Sequence, residues 1–339
     1  MTRIKAAKNY KPKIAIIGAG FSGIILGQEL SKISEVKIFE KARGSGGKMS
    51  TRRVDEFAFD HGVQCFTART KDFQNFLSPH ILSGDVAAWE GKSINFHVDK
   101  SVTPQILFET NFVASPAMNS LCKKLSAGLD ISFQTEIIPL KEKTSQGWHL
   151  EDKSGNSLGV FDLLISSAPP AQTVNLFGSY ISPNQSLRQV LMEPCFALMV
   201  GFKNKLQFDW ILAKVQNNPL KLISFNSSKP GRNQENSCFV AHTKEAWTKE
   251  NIGRDIAEVE KILLQNFSEI TGLSDIKPDH VSAHLWRYAL VEKNPNEKRH
   301  FIDIDLGLAA TSDWVSNSRV EDVWLSAMSL LKEVRKIYA

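Results

Sequence analysis

The sequence contains few cysteines. Its 339 residues include four, which form no Cys-x-x-Cys pair and have no histidine at zinc-finger spacing. Wide and irregular spacing predicts free thiols and argues against a disulfide framework and a zinc site. The four are Cys65, Cys122, Cys195 and Cys238.

Long apolar runs are also missing. No stretch approaches the roughly 20 apolar residues that span a bilayer. The basic residues Arg3, Lys5 and Lys8 are followed by an apolar run at 14–17, which is too short for a secretory signal peptide. We therefore expect a cytoplasmic protein with no membrane partner.

The charge of the chain is only mildly positive. Lys and Arg number 41, Asp and Glu number 36, and the formal net charge is +5. Because no dense block of Lys and Arg occurs, we expect no nucleic-acid partner. We expect a monomer or homodimer that takes a small-molecule substrate.

The apolar pattern predicts an α/β fold. Continuous apolar runs at 13–17, 163–167 and 306–311 are typical of strands buried on both faces of a parallel sheet. A helix over 21–31 and a strand over 35–40 complete a βαβ unit with the first run. The sheet therefore takes strands from the start, the middle and the end of the chain.

A second domain is predicted between these strands. Residues 90–96, 196–202 and 221–225 alternate in the manner of antiparallel strands, and residues 251–270 read as an amphipathic helix. We therefore expect an α+β domain, built on an antiparallel sheet and inserted into the first.

Two glycine-rich loops carry the chemistry. The run Gly18-Ala19-Gly20-Phe21-Ser22-Gly23 fits Gly-x-Gly-x-x-Gly between a strand and a helix, where backbone N–H groups bind a pyrophosphate. Glu40 ends the next strand and suits ribose hydroxyls. NAD and FAD both use such a turn. A second glycine-rich loop at 41–51, with Arg43 and Lys48 as countercharges, favours the longer FAD.

The chain resembles bacterial renalase-like flavoproteins, a branch of the flavin amine oxidase superfamily. The resemblance lies in ordered segments from about residue 14 to about residue 326. These are 40–52, 59–69, Met192-Glu193-Pro194, Ser228-Lys229-Pro230-Gly231-Arg232, 284–289, Asp313-Trp314, Arg319-Val320-Glu321 and Trp324-Leu325-Ser326.

The resemblance implies a fold and an activity. The fold has a Rossmann-like FAD-binding domain of the p-hydroxybenzoate hydroxylase and monoamine oxidase type, with an inserted substrate domain. We place the FAD-binding domain at 1–75, 105–180 and 285–339, and the substrate domain at 76–104 and 181–284. Family members transfer a hydride from a dihydronicotinamide dinucleotide isomer, NAD(P)H with a misplaced hydride, to flavin N5. Oxygen then reoxidises the flavin and gives hydrogen peroxide.

The resemblance also assigns site residues. Gln64 is expected to face the flavin or the substrate ring, and Trp286 and Tyr288 to supply pocket aromatics. Core packing is an equally good interpretation of these two aromatics. The residues expected to bind FAD are Gly18, Ala19, Gly20, Phe21, Ser22, Gly23, Glu40, Lys41, Arg43, Gly47, Lys48, Met49, Ile137, Ala168, Ser312, Asp313, Arg319 and Val320.

The chain departs from the family in its last segment. Ser312, Ser318, Asp322 and Ala327 stand where the family usually has glycine. Asp322 would oppose a reduced flavin anion if it pointed at the ring, and would be harmless if it pointed to solvent. Two alternatives to the renalase-type activity therefore remain. They are an oxidase of a small amine and a dinucleotide-binding relative without catalysis.

Overall fold

The structure is a computed structural model that describes residues 11–99, 101–106, 108–182, 186–216, 218–294, 299–315 and 318–338. The basic residues Arg3, Lys5 and Lys8 lie outside this part of the chain. In the described residues, no helix is both long enough and apolar enough to cross a membrane.

The described chain has twenty strands. They are β1 Lys13–Ile17, β2 Glu35–Phe39, β3 Arg52–Val54, β4 Phe57–Phe59, β5 Val86–Ala88, β6 Ser93–Phe96, β7 Val102–Gln105, β8 Phe112–Ala114, β9 Ile131–Ser132, β10 Lys143–Thr144, β11 Gly147–Glu151, β12 Ser157–Phe161, β13 Leu163–Ser166, β14 Leu191–Phe202, β15 Leu212–Val215, β16 Leu220–Phe225, β17 Ser237–Thr243, β18 His280–Lys293, β19 Phe301–Asp303 and β20 Leu308–Ala310. The α-helices are α1 Phe21–Leu30, α2 Lys71–Leu82, α3 Met118–Leu125, α4 Pro170–Phe177, α5 Glu245–Asn251, α6 Ile256–Thr271 and α7 Val320–Tyr338.

The chain forms two compact units. Unit 1 comprises Met1–Gly47, Cys122–Leu191 and Lys293–Ala339, and unit 2 comprises Lys48–Leu121 and Met192–Glu292. Unit 2 therefore includes 48–75, 105–121 and 285–292, which the sequence assigned to the FAD-binding domain, and unit 1 includes 181–191, which it assigned to the substrate domain. The predicted boundaries group residues by the ligand that they are expected to bind, whereas the two units group residues by their contacts. The predicted boundaries therefore stay a prediction.

Unit 1 is built on a six-stranded sheet with the order β19-β20-β13-β1-β2-β9. All neighbours are parallel except β19 and β20, which are antiparallel. The predicted strands at 13–17, 35–40, 163–167 and 306–311 are confirmed as β1, β2, β13 and β20. Most of their apolar side chains are buried, as in strands covered on both faces, and Ile17 and Val36 are half-buried.

Unit 2 is built on a seven-stranded sheet with the order β18-β14-β17-β16-β15-β6-β7. One face packs on α6 through Val259, Leu263 and Phe267. The other face is covered by the β3–β4 hairpin through Phe57 and Phe59. The predicted strands are confirmed, except that 90–96 forms a strand only from residue 93. The sheet is also not wholly antiparallel, because β6 pairs in parallel with β15.

The prediction of a single helix over 251–270 is wrong at its start. The chain forms α5 to Asn251 and begins α6 at Ile256. Asp255 caps α6, because its side chain accepts a hydrogen bond from Ala257 N. A carboxylate at this position satisfies a backbone donor at the start of a helix, so the cap marks a new beginning.

Candidate functional site

The first glycine loop joins β1 to α1 in unit 1. Gly18 has φ +106°, a conformation that favours glycine. A Cβ at Gly23 would lie 2.1 Å from the Gly18 carbonyl oxygen, so α1 can pack against the loop only without a side chain there. A Cβ at Gly20 would meet no atom within 4 Å. Gly20 therefore presents bare backbone at the N-terminus of α1.

The second glycine loop packs against the first, backbone to backbone. Gly46 N donates to the Ala19 carbonyl at 2.9 Å. Gly47 has φ +54°, and a Cβ there would lie 3.2 Å from Gly20 Cα. The glycines at 46 and 47 thus let the two loops meet closely.

Glu40 holds both loops through its carboxylate. Oε2 accepts from Ala19 N and Oε1 accepts from Ala42 N, each at 2.7 Å. The sequence predicted Glu40 as a partner for ribose hydroxyls and missed this role in the loops. Each carboxylate oxygen can accept a second hydrogen bond, so both roles are compatible.

The predicted countercharges Arg43 and Lys48, and the predicted cofactor contact Lys41, lie in different surroundings. Lys41 and Arg43 are exposed, and Lys41 Nζ reaches Gln172 Oε1 at 3.5 Å. The Lys48 ammonium donates to the Ala289 carbonyl at 3.1 Å, within unit 2. Met49 is buried. The structure therefore gives Lys48 a protein contact that sequence reasoning did not foresee.

Ser318 has a backbone conformation that favours glycine. Its φ is +57°, in the left-handed region. Its hydroxyl donates to the Asp313 carbonyl at 3.2 Å. Ser312 and Asp313 are buried, and the Ser312 hydroxyl donates to Asp313 Oδ1 at 3.2 Å. The turn before α7 therefore accommodates serine at both positions.

Asp322 is buried and paired with arginines in the first turn of α7. Arg319 Nε donates to Oδ2 at 2.8 Å, and Arg299 lies 3.9 Å from Oδ1. Burial contradicts the predicted orientation toward solvent, and the charge is compensated inside unit 1; an orientation toward a flavin stays a prediction. Arg319, predicted to bind the cofactor, is its partner, and α7 begins at Val320.

The remaining predicted FAD contacts, Ala168 and Ile137, lie in unit 1. Ala168 follows β13 directly, and its N–H donates to Ser166 Oγ at 3.3 Å. Ile137 forms an isolated bridge with Asp152. Their roles toward a cofactor stay predictions.

A buried ion network lies in unit 2. Asp60 Oδ2 accepts from Lys229 Nζ at 3.3 Å and from Arg232 Nη2 at 2.6 Å. Asp60 Oδ1 accepts from Thr51 Oγ1 at 2.7 Å and from Met118 N at 3.0 Å. Burial acts to raise the pKa of Asp60, but the charges of Lys229 and Arg232 outweigh it and hold the pKa below its usual value. Asp60 is therefore an anion.

Lys229 is fully buried and reaches three acceptors. Besides Asp60, its ammonium donates to Gln64 Oε1 at 3.2 Å and to Asn226 Oδ1 at 2.9 Å, and it lies 5.4 Å from the centroid of the Trp89 ring. Burial lowers the pKa of Lys229 to about 8, against the opposing charge of Asp60. The ammonium is thus held by oxygens on several sides.

Gln64 belongs to the same network. Its Nε2 donates to the carbonyls of Asp60 at 2.5 Å and Gly62 at 3.1 Å, while its Oε1 accepts from Lys229. These contacts use both amide donors and fix which end of the amide faces Lys229. Gln64 therefore holds the turn at 60–64, and its predicted role toward a flavin stays a prediction.

Histidines surround Trp286 on β18. The His61 carbonyl accepts from Trp286 Nε1 at 3.0 Å and from His242 Nε2 at 3.1 Å. The indole stacks on the His61 ring at 5.1 Å and meets the His284 ring edge-on at 4.6 Å. Tyr288 lies two residues further along β18, half-buried and on the same face of the strand.

These histidines are neutral at pH 7. Burial lowers the pKa of His61 to about 3, and the charges of His284 and Arg52 add to the effect. Burial lowers the pKa of His242 to about 4. It also lowers the pKa of His284 to about 4, with a further contribution from Arg52.

Sequence reasoning missed the ion network itself. Asp60, Lys229 and Arg232 all stand in segments that carry the family resemblance, but none received a role. The available signal was three charged residues in two turn-rich segments that are 169 residues apart, counted from Asp60 to Lys229. Only the fold shows that these segments meet.

Comparisons with known proteins agree on the fold. The family model of the NAD(P)-binding Rossmann-like domain matches residues 16–78. A candidate protoporphyrinogen oxidase from Exiguobacterium sp. 255-15 has a TM-score of 0.78 at 11% identity, over 97% of this chain and 100% of that chain.

Other solved structures extend the similarity. An oxidoreductase from Methanosarcina mazei has a TM-score of 0.72 at 11% identity, over 94% of this chain and 100% of that chain. Wild-type putrescine oxidase bound to putrescine has a TM-score of 0.68 at 10% identity, over 96% of this chain and 99% of that chain. The predicted fold class is therefore confirmed: this chain combines a Rossmann-like domain with the fold of amine-oxidase-type enzymes.

Proposed function

We propose that the protein is an FAD-dependent oxidoreductase of renalase type. It takes a hydride from a dihydronicotinamide dinucleotide isomer and passes the electrons to oxygen, which leaves as hydrogen peroxide. The observation that carries the proposal is the pair of glycine loops in unit 1, which meet at Gly20 and Gly46 and are both held by Glu40.

The residues of unit 1 fit a dinucleotide. Bare backbone at Gly20 permits close approach of a pyrophosphate, and the N-terminus of α1 favours its negative charge. Glu40 retains acceptor capacity for ribose hydroxyls. The second loop, at 44–47, supports a cofactor longer than NAD. FAD, when bound, supplies a ring that accepts the hydride and returns the electrons to oxygen.

Under this proposal, the protein's own residues bind and orient the cofactor and the substrate. Hydride transfer to such a cofactor needs no protein nucleophile, and His61, His242 and His284 are neutral at pH 7 because burial lowers their pKa values. The Asp322 carboxylate adds no uncompensated charge, because Arg319 and Arg299 pair with it. The N-terminus of α7 therefore keeps its capacity to stabilise an anion.

A visible spectrum of the purified protein tests the cofactor. We expect flavin absorbance, either as purified or after FAD is added. Anaerobic mixing with the NADH isomers made by borohydride reduction of NAD should then bleach the flavin rapidly, and air should restore it with formation of hydrogen peroxide. A protein that stays colourless with FAD present would refute the proposal.

The fold shared with putrescine oxidase makes amine oxidation the second candidate. A panel of small primary and secondary amines, mixed anaerobically with the flavin-loaded protein, separates the two. Bleaching by an amine and not by the NADH isomers would replace the renalase-type assignment. Flavin retention with no bleaching by either class would indicate a dinucleotide-binding protein without catalysis.

A further inference from the structure

Arg52 is a half-buried cation in unit 2 without a carboxylate partner. Among the described residues no Asp or Glu oxygen lies within 4.0 Å of its guanidinium. The buried side chain of Arg232 and the half-buried side chain of Arg319, in contrast, pair with Asp60 and Asp322. A half-buried charge that the protein leaves uncompensated is a candidate for an anionic ligand.

The neighbour of Arg52 is an imidazole. Arg52 Nη2 lies 3.4 Å from Nδ1 of His284. A guanidinium can only donate, so Nδ1 accepts and the imidazole proton resides on Nε2. The pair therefore offers N–H donors from both side chains and a net positive charge. The non-bridging oxygens of a pyrophosphate accept hydrogen bonds and carry negative charge, so the phosphate next to the nicotinamide ribose of a dinucleotide suits this pair.

An immobilised aromatic ring adjoins the pair. Trp286 lies edge-on to His284 at 4.6 Å, and its Nε1 donates to the His61 carbonyl at 3.0 Å. A Cβ at Gly62 would lie 3.3 Å from Trp286 Cζ2 and 2.1 Å from the Lys48 carbonyl oxygen. The glycine thus leaves room for an indole that is held in one orientation and is half-exposed. The His61 ring stacks on one face of the indole, so a flat heterocycle would stack on the opposite face.

We propose that Arg52, His284 and Trp286 form a subsite for the nicotinamide mononucleotide half of the substrate. Arg52 and His284 bind the phosphate, and Trp286 stacks on the nicotinamide ring. The inference rests on the proposed function for the identity of the substrate. Arg52 thereby becomes a specificity-determining residue, which distinguishes nucleotides from nucleosides and from free amines.

Two probes that differ by one phosphate test the subsite. Flavin-loaded protein is titrated calorimetrically with nicotinamide mononucleotide and with nicotinamide riboside. Loss of a charge-assisted hydrogen-bonded contact corresponds to about a tenfold to hundredfold change in affinity. We therefore expect Arg52→Gln to weaken the mononucleotide to that extent and to leave the riboside unchanged.

Matched variants complete the experiment. Arg53→Gln removes the exposed neighbouring arginine on the same hairpin and should change neither affinity. Trp286→Leu should weaken both probes alike, and Arg52→Lys should restore part of the mononucleotide affinity. Inorganic phosphate should bind more weakly than the mononucleotide, and this difference should vanish in Trp286→Leu.

The outcomes separate this inference from the proposed function. Equal weakening of both probes by Arg52→Gln, or none, overturns the subsite. Phosphate that binds as tightly as the mononucleotide overturns the ring contact. If NADH isomers bleach the wild-type flavin in either case, the proposed function is supported and only the subsite is refuted. If phosphate-selective binding through Arg52 is found without bleaching, the subsite is supported and the proposed function is not. Because the readout is binding at equilibrium, the subsite can also be tested in protein that does not turn over.

Discussion

Replacing Asp60 by asparagine should destabilise unit 2 severely. The change leaves the ammonium of Lys229 and the guanidinium of Arg232, whose side chains are 0% and 4% exposed, without their anion. Asparagine also has an NH2 group in place of one carboxylate oxygen. This donor would face the donors of Lys229 and Arg232 in one orientation, or those of Thr51 and Met118 in the other. Removal of one partner from a buried pair costs about 3–5 kcal/mol, and we expect a value in this range at pH 6.5.

The pH dependence makes this prediction specific. Burial lowers the pKa of Lys229 to about 8, and Asp60 opposes that decrease, so the Asp60→Asn variant should have a lower Lys229 pKa still. The variant's folded state then binds fewer protons than the wild type near pH 8, and its stability rises with pH relative to the wild type. The destabilisation should therefore shrink between pH 6.5 and pH 9, as the buried lysine becomes neutral.

Urea unfolding at both pH values measures the effect, with the midpoint difference converted through the common slope. The exposed Asp275→Asn is the control and should change stability by no more than about 0.5 kcal/mol. Combining Asp60→Asn with Lys229→Met should recover part of the loss, because one buried cation is removed. A cost below about 1 kcal/mol that is equal at both pH values would refute the electrostatic account.

Three further predictions concern the loops, the histidines and α7. Gly20→Ala should reduce FAD retention, measured by flavin absorbance after gel filtration, with little loss of thermal stability, whereas the exposed Gly253→Ala should change neither. Since burial lowers the pKa of His61 to about 3, against an ordinary 6.5, stability should be full above pH 6.5 and fall on acidification toward pH 3; urea midpoints that stay constant down to pH 4 would contradict this. Ser318→Ala should have a lower melting temperature than Ser318→Gly, because both variants lose the hydrogen bond to Asp313 and only alanine keeps the cost of φ +57°, about 1 kcal/mol for a non-glycine residue.

The fold was predictable where local pattern and strand burial coincide. The βαβ unit of β1, α1 and β2 could be predicted from the sequence. A continuous apolar run is typical of a buried parallel strand, and the glycine pattern is typical of the turn between such a strand and a helix. The start of α6 was not, because residues 251–270 are amphipathic throughout while Asp255 caps a separate helix. A helical period does not by itself show where one helix ends and the next begins.

The glycine loops of the candidate site could be predicted from the sequence, but the partners of its charged side chains could not. The glycines at 18, 20 and 23 act through the space that they leave, which follows from residue type alone. Glu40 and Arg319 were assigned to a ligand, yet both hydrogen-bond within the protein. Their partners, the loop amides and Asp322, could not be found from composition or spacing.

Charge pairing therefore gives a criterion for choosing among candidate ligand contacts. Asp322 and Lys229 are each compensated by neighbouring protein groups, so their presence is explained without a ligand. Arg52 is half-buried beside a neutral imidazole and has no carboxylate within 4.0 Å among the residues described. Desolvating a cation is costly unless something compensates it, so an anionic ligand at Arg52 would gain from supplying that compensation. If Arg52→Gln proved more stable than the wild type and bound nicotinamide mononucleotide equally well, the uncompensated charge would be only a cost to folding.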